Sequence, residues 1–293
     1  MKIKHTFGDR LFDVTNIVFM VILMVLTLYP MYYVIAASFS SSTSLLQNPG
    51  FILFPREFTL GAYEMAFRHP LLLGGFRNSI FIIVVSLPIN IIMTLLCGYF
   101  MACRGMLLRK PILIFILFTM WFNAGMIPVF LNIQSLGLLN NIWSLILPSA
   151  MSVFFAIICK TAIEALPSSL IESAYVDGAN DVRIIFVIVA PLIMPTLAVL
   201  LLFYGVQHWN AWFWATIFIR DNQLLPVQNL LRAVLIEANQ LLLQAGGDDD
   251  RTFLYAETIK YAAIALTTVP VLFIYPFLQR YFVKGVMIGA IKG

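Results

Sequence analysis

The stretch Asn78-Ser-Ile-Phe-Ile-Ile-Val-Val-Ser-Leu-Pro-Ile-Asn-Ile-Ile-Met-Thr-Leu-Leu-Cys-Gly-Tyr-Phe-Met-Ala-Cys103 holds no charged side chain. As a helix, more than about 20 apolar residues cross a hydrocarbon core of roughly 30 Å. Five further runs have the same character: Val14–Ser38, Pro111–Ile133, Ile142–Ala162, Ile193–Phe218 and Tyr261–Phe282. Lipid offers the backbone no hydrogen-bond partner, so each run is read as a helix. Pro88, Pro128, Pro148 and Pro270 lie in or near these runs, where packing against neighbours tolerates kinks. The first run is too long for a signal-peptide core and is expected to be retained as a span.

Composition agrees with the runs. Apolar residues make up 61% of the chain and charged residues 11%, against about 25% charged in ordinary soluble domains. The net charge of +4 is scattered, and no stripe of basic and aromatic residues points to nucleic acid. Cys97, Cys103 and Cys159 sit in or beside apolar runs at spacings that match no zinc or redox motif, so they are read as packing residues. The fold class is all-α integral membrane with six transmembrane helices.

Six spans put both ends on one side. Lys2, Lys4 and Arg10 precede the first span, and Arg104, Arg109 and Lys110 crowd the link between the second and third. Arg280, Lys284 and Lys292 lie at or beyond the end of the last span. The positive-inside rule places these groups, and both termini, in the cytoplasm. Arg56, Arg68 and Arg77 fall outside in a long loop, where basic residues weigh less. The expected segments are a cytoplasmic tail 1–13, a first span 14–38, an external loop 39–76 with a helical piece near Leu60–Phe67, and a five-span core 77–282. That core includes an external loop 220–257 with a helix near Val227–Leu243, and a cytoplasmic tail 283–293 follows it. Asp248-Asp249-Asp250 lacks the alternating ligand spacing of an EF-hand and reads as a solvated turn.

One cytoplasmic segment, residues 163–192, interrupts the membrane pattern. Pro167-Ser168 reads as a helix stop followed by a new N-cap, with Glu172 near the first turn. Gly178 ends that short helix, and a mostly apolar run, Val182–Val189, leads to Pro191. Two helices meeting at a glycine turn make either a docking surface or a packed amphipathic connection.

The spacing within this loop resembles the EAA loop of binding-protein-dependent ABC importer permeases: Glu-Ala-Ala, three residues, Gly, nine residues, then Ile-x-Leu-Pro. Here it reads Glu172-Ser173-Ala174, three residues, Gly178, nine residues, then Ile188-Val189-Ala190-Pro191, with Asp177-Gly178-Ala179 also typical. Ser173 and Ala190 depart from the pattern. The tail Phe282–Gly293, Tyr29-Pro30 and Asn78-Ser79 resemble the carbohydrate-uptake permeases of the maltose-transporter type, and Leu225–Leu231 resembles their oligosaccharide subgroup. The resemblance implies the type I importer fold and a bacterial cytoplasmic membrane. It also implies a second homologous permease, two ATP-binding subunits, an extracytoplasmic solute-binding protein and a carbohydrate cargo. Glu172, Ser173, Ala174, Asp177, Gly178, Ala179 and Pro191 would couple the permease to the ATPase. The chain has no GxxxxGK[ST] loop; Lys160-Thr161 is its only Lys followed by Ser or Thr. It is therefore expected to be no enzyme and to hold no cofactor, with ATP and Mg bound by the partner ATPase.

Substrate contacts are sought on the fifth span. Gln207, Asn210 and Trp214 share a helical face at i, i+3, i+7, with Trp209 and Trp212 beside them and Trp121 and Asn123 as a fainter pair on the third span. Aromatic rings stack on sugars and amides bond hydroxyls, but Trp also forms interfacial belts and amides also join helices. His208 reads as a packing group, because no membrane carboxylate accompanies it. An ion-coupled transporter would bury Asp or Glu in its spans, which are nearly free of both. His5, His69 and His208 lie too far apart in sequence for a metal or acid–base cluster, and nothing resembles a channel filter.

Overall fold

The computed structural model describes residues 7–48, 50–68, 71–103, 108–122, 124–244 and 259–273, and all regular structure among them is helical. Asn123, Asp248–Asp250 and the tail 283–293 lie outside the described residues. The chain forms two compact units, residues 1–69 with 231–268 and residues 70–230 with 269–293.

The first unit is led by α1 (Phe7–Ser38), whose apolar side chains are exposed along nearly its whole length until Ala36, Ala37 and Ser38. That length is apolar enough to cross a bilayer. Thr15 and Thr27 turn their hydroxyls back onto the Leu11 and Leu23 carbonyls at 2.8 Å, so neither presents a free polar group to hydrocarbon. Beyond α1 come α2 (Ser42–Gln47) and α3 (Gly61–Arg68), the latter the helix expected near Leu60–Phe67. Side chains order the extended chain between them. Arg56 donates to the Asn48 and Phe51 carbonyls, and Tyr29 accepts from the Ile52 amide at 3.0 Å while its ring stacks on Phe51.

The second unit is built on α4 (Leu72–Ala102). Small and polar residues recur along it at Asn78, Ser86, Asn90, Thr94 and Gly98, spaced in fours or eights, and all the polar ones are buried. A four-residue repeat stays on one helix face. That face packs on α8 (Val153–Glu164) and α12 (Met194–Trp209). Gly98 is needed for the approach to α8, since a Cβ there would sit 2.9 Å from Cys159 Cβ and Sγ. Cys159 is fully buried, in keeping with the packing role expected of it.

Between these lie α5 (Arg109–Trp121), α6 (Met126–Ser135) and α7 (Trp143–Ile146). The third and fourth apolar runs, expected as continuous spans, are thus each divided. Gly125, at φ +88°, opens α6, and Pro148 follows α7. The fifth run is divided as well. Asn210 is the C-cap of α12, its backbone N–H donating to the Val206 carbonyl at 3.1 Å and its side-chain amide to the same oxygen at 3.0 Å; α12 ends at Trp209 and α13 resumes at Phe213–Phe218. After a short 3-10 turn at Asn222–Leu224, α14 (Val227–Gln244) agrees with the helix expected there. Among the described residues the last helix is α15 (Ile259–Phe273), which overlaps the sixth expected run. Only α1 and α4, among the described residues, are long and apolar enough to cross a bilayer without a bend.

Candidate functional site

The motif-bearing segment folds as a helix–turn–helix. Helix α9 (Ser168–Val176) meets α8 at a 79° bend. Pro167, not Ser168, occupies the N-cap, and no side chain caps it there. Ser168 is the first helical residue and Glu172 lies beyond the first turn, so the dipole argument for Glu172 falls. The other end behaves as expected. Gly178 N–H donates to Tyr175 O at 3.0 Å and Ala179 N–H to Ala174 O at 2.9 Å, the two crossed bonds of a Schellman turn, with Gly178 at φ +78°. Asn180 then caps the next helix, accepting from Arg183 N–H at 2.9 Å. That helix runs as α10 (Asp181–Arg183), a π-helical segment Ile184–Val189, and α11 (Ala190–Leu192), and it bends 87° into α12.

Of the seven coupling candidates, only Ala174 is buried, at 6% exposure, and Ala179 is half-buried. Both face a core shared with Tyr99, Ile163, Ile184 and Ile185. Glu172, Ser173, Asp177, Gly178 and Pro191 are exposed. Val176 is 87% exposed at the tip of α9. The tip of α9 is thus exposed and apolar, with carboxylates at Glu172 and Asp177, on a turn fixed from behind.

Sequence reasoning missed a side-chain cluster that joins this loop to α4. The Tyr175 hydroxyl donates to Asp181 Oδ1 at 2.5 Å, and the Tyr99 hydroxyl lies 3.2 Å from that of Tyr175 and 3.4 Å from Asp181 Oδ1. The bond to Asp181 pushes the Tyr175 phenol up from its ordinary value and keeps its proton in place.

The second candidate region is a cavity of about 760 Å³ in the second unit. Asn132, Ser149, Ser152, Tyr204, Gln207 and Trp214 supply most of its polar lining, and among the described residues no lining side chain is formally charged. Pockets of roughly 300–1,000 Å³ hold drug-sized ligands. Gln207 and Trp214 are brought together here across the break after α12, but Asn210 is not. The expected three-residue stripe is broken because Asn210 bonds its own helix. Trp209 is buried with its ring 6.2 Å from Phe76. Trp212 lies outside the cavity lining, its carbonyl accepting from Asn229. Trp121 is 83% exposed at the end of α5, away from the lining.

The wall of the cavity is pinned by α4. Asn90 Nδ2 donates to Ser149 O at 2.6 Å while its Oδ1 lies 2.9 Å from His208 Nε2. Thr94 Oγ1 lies 2.7 Å from the Tyr204 hydroxyl, which also accepts from Ser152 N–H at 2.9 Å. His208 thus has the packing role expected of it, while also bordering the cavity. The spacing of polar residues in α4 carries the signal for this network.

Comparison with known proteins gives a consistent result. The family described as "Binding-protein-dependent transport system inner membrane component" matches residues 59–288. The chain is 37% identical to the polygalacturonan/rhamnogalacturonan transport system permease protein YtcP of Bacillus subtilis, over 97% of this chain and 99% of that one. It is 40% identical to Protein LplC of the same organism, over 99% and 97%. Its fold matches, at a TM-score of 0.85 and 31% identity, a chain from the crystal structure of a bacterial ABC transporter that imports the acidic polysaccharide alginate. That match covers 96% of this chain and all of the other.

Proposed function

The chain belongs to the family of binding-protein-dependent transport system inner membrane components, and from that premise we propose that it moves an oligosaccharide through the bacterial cytoplasmic membrane. It is a permease subunit of an ABC importer and not an enzyme. In this reading it pairs with a second permease and sits on two ATP-binding subunits that hold ATP and Mg. An external solute-binding protein delivers the cargo. Both termini face the cytoplasm.

The observation that carries the coupling part is the loop from Pro167 to Pro191. Its exposed tip is fixed from behind by the Schellman turn and by Ala174 in the core. A tether would transmit no displacement, whereas this turn moves only with the helices behind it. The carbohydrate part is supported by the cargo for which YtcP and the alginate importer are named, and by the neutral amide, hydroxyl and indole lining of the cavity. In the alternating packings of a type I importer, α9 follows the ATPase as it closes and the bent α10–α12 arm carries the displacement toward the cavity.

The test is reconstitution of the full complex in proteoliposomes, with binding protein loaded in turn with neutral and uronate oligosaccharides. ATP hydrolysis and uptake rising together for a saccharide support the proposal. A complex that responds to a non-saccharide solute alone refutes the cargo assignment.

A further inference from the structure

We propose that Tyr99, Tyr175 and Asp181 form a hydrogen-bonded latch that makes α4 and the α10–α12 arm move together when the coupling helix is displaced. This rests on the coupling reading of the loop, and it assigns positioning roles to three residues that are not among the seven coupling candidates.

The three come from three elements. Tyr99 lies in the last turn of α4, Tyr175 near the end of α9, and Asp181 at the start of α10. Proton counting fixes the order. The Tyr175 hydrogen is spent on Asp181 Oδ1 at 2.5 Å, so the Tyr99 hydrogen points to the Tyr175 oxygen at 3.2 Å or to the same carboxylate oxygen at 3.4 Å. The Asp181 carboxylate thus holds the Tyr99 phenol either directly or through the Tyr175 hydroxyl. Tyr99 is 5% exposed and packed in the core with Ala174, Ile184 and Ile185, so its ring cannot follow a swinging loop without carrying α4 along. Tyr175 and Asp181 are exposed, as the moving side of a latch must be.

The latch stands where two routes toward the cavity begin. One runs up α4 to Asn90 and Thr94, which hold Ser149, His208 and Tyr204. The other runs through the π-helical segment and the 87° bend into α12, which carries Tyr204, Gln207 and His208. If the routes moved independently, the bonds between them at Asn90 and Thr94 would have to break at every cycle. A tie at the base keeps the two routes in step. π-Helical turns recur at functional sites, and here one begins at Ile184, directly after α10.

The test uses the complete importer with Tyr99→Phe, Tyr175→Phe, Asp181→Ala and Asp181→Asn permeases, measuring cargo moved per ATP, ATPase co-purification and complex melting. Tyr99→Phe and Asp181→Ala are expected to keep the ATPase bound and hydrolysing. Their transport per ATP should fall about three- to tenfold, the scale of losing one partly exposed bond to a charged group. Asp181→Asn, which keeps an acceptor for Tyr175, should restore most of the ratio. The Tyr99→Phe/Asp181→Ala double variant should be little worse than either alone. Unchanged cargo per ATP in both single variants overturns the latch. Uptake and hydrolysis falling equally, alongside a lower melting temperature, overturns it too, by showing a merely structural role. Gly178→Val permease serves as the separate control on the underlying reading. Undiminished ATPase binding there would remove the coupling loop itself, whatever the latch variants do.

Discussion

Gly178 is the position where the coupling loop is most exposed to a single change, and the size of the effect follows from its backbone. Its φ is +78°, and a Cβ built there meets nothing within 4 Å. A substitution is therefore opposed by backbone conformation alone. For an L-residue the left-handed region costs roughly 1–2 kcal/mol, Asn and Asp tolerating it best and β-branched residues least. Leaving that region breaks the Gly178 N–H···O Tyr175 and Ala179 N–H···O Ala174 bonds, which hold the turn against Ala174 in the core. With that strain, Gly178→Val should lower the fraction of loops in the docking geometry by about five- to thirtyfold. Gly178→Asn should stay close to the parent protein. The assay is capture of the ATP-binding subunit by tagged permease at limiting concentration, with uptake measured on the same preparations and membrane insertion as the control. Equal capture by the Val and parent proteins would refute the reasoning. Asn failing as badly as Val would also do so, because it would show that the surface at Gly178 admits no side chain and that φ is not what matters.

Gln207→Ala and Trp214→Ala should each reduce uptake about tenfold, the scale of one lost polar or stacking contact of roughly 1–3 kcal/mol. Asn210→Ala should leave cargo affinity unchanged, and a larger uptake loss for Asn210→Ala than for Gln207→Ala would return the helical stripe. Gly98→Ala should lower the melting temperature of the complex, since its Cβ would lie 2.9 Å from Cys159 and overpacking typically costs about 1–3 kcal/mol. Cys159→Gly in the same chain should recover part of that loss, and no recovery would deny the α4–α8 contact. Single cysteines at Ser168 and Asn222, in a background without Cys97, Cys103 and Cys159, should label from opposite faces with an impermeant thiol reagent. Labelling of both from outside intact cells would reverse the topology of the loop.

The helical character of the chain was legible because lipid imposes it: an apolar run such as Asn78–Cys103 admits no other backbone. The turn at Gly178 was legible for a similar reason, since glycine at a helix end has few other uses. The helix breaks were not. Asn210 looks in sequence like one more amide on an i, i+3, i+7 face, and nothing in that spacing shows that it is the C-cap of the helix it was counted on. The cap was misplaced because Ser168 and Pro167 both suit a helix start, and proline already occupies the N-cap. The latch was hidden because Tyr99 lies 76 residues from Tyr175, and no local pattern ties them.

Interhelical hydrogen bonds in membranes average about 0.6 kcal/mol, reaching roughly 1.7, and apolar packing gives helices little reason to prefer one another over lipid. The second unit must therefore draw its specificity from position rather than strength. Asn90 bonds Ser149 on one side and His208 on the other, and Tyr204 joins Thr94 to the Ser152 amide. Ser149, Ser152, Tyr204 and His208 all border the cavity. The cavity wall cannot widen between the Ser149–Ser152 strand of backbone and α12 without breaking one of these bonds. The Asn90–Ser149 and Tyr204–Ser152 bonds are weak enough to break when that segment moves and directional enough to reform in one register, while the Asn90–His208 and Thr94–Tyr204 bonds keep α4 and α12 together. A wall held this way has discrete packings instead of a continuum, which alternating access requires. A leucine-lined contact of the same area would slide.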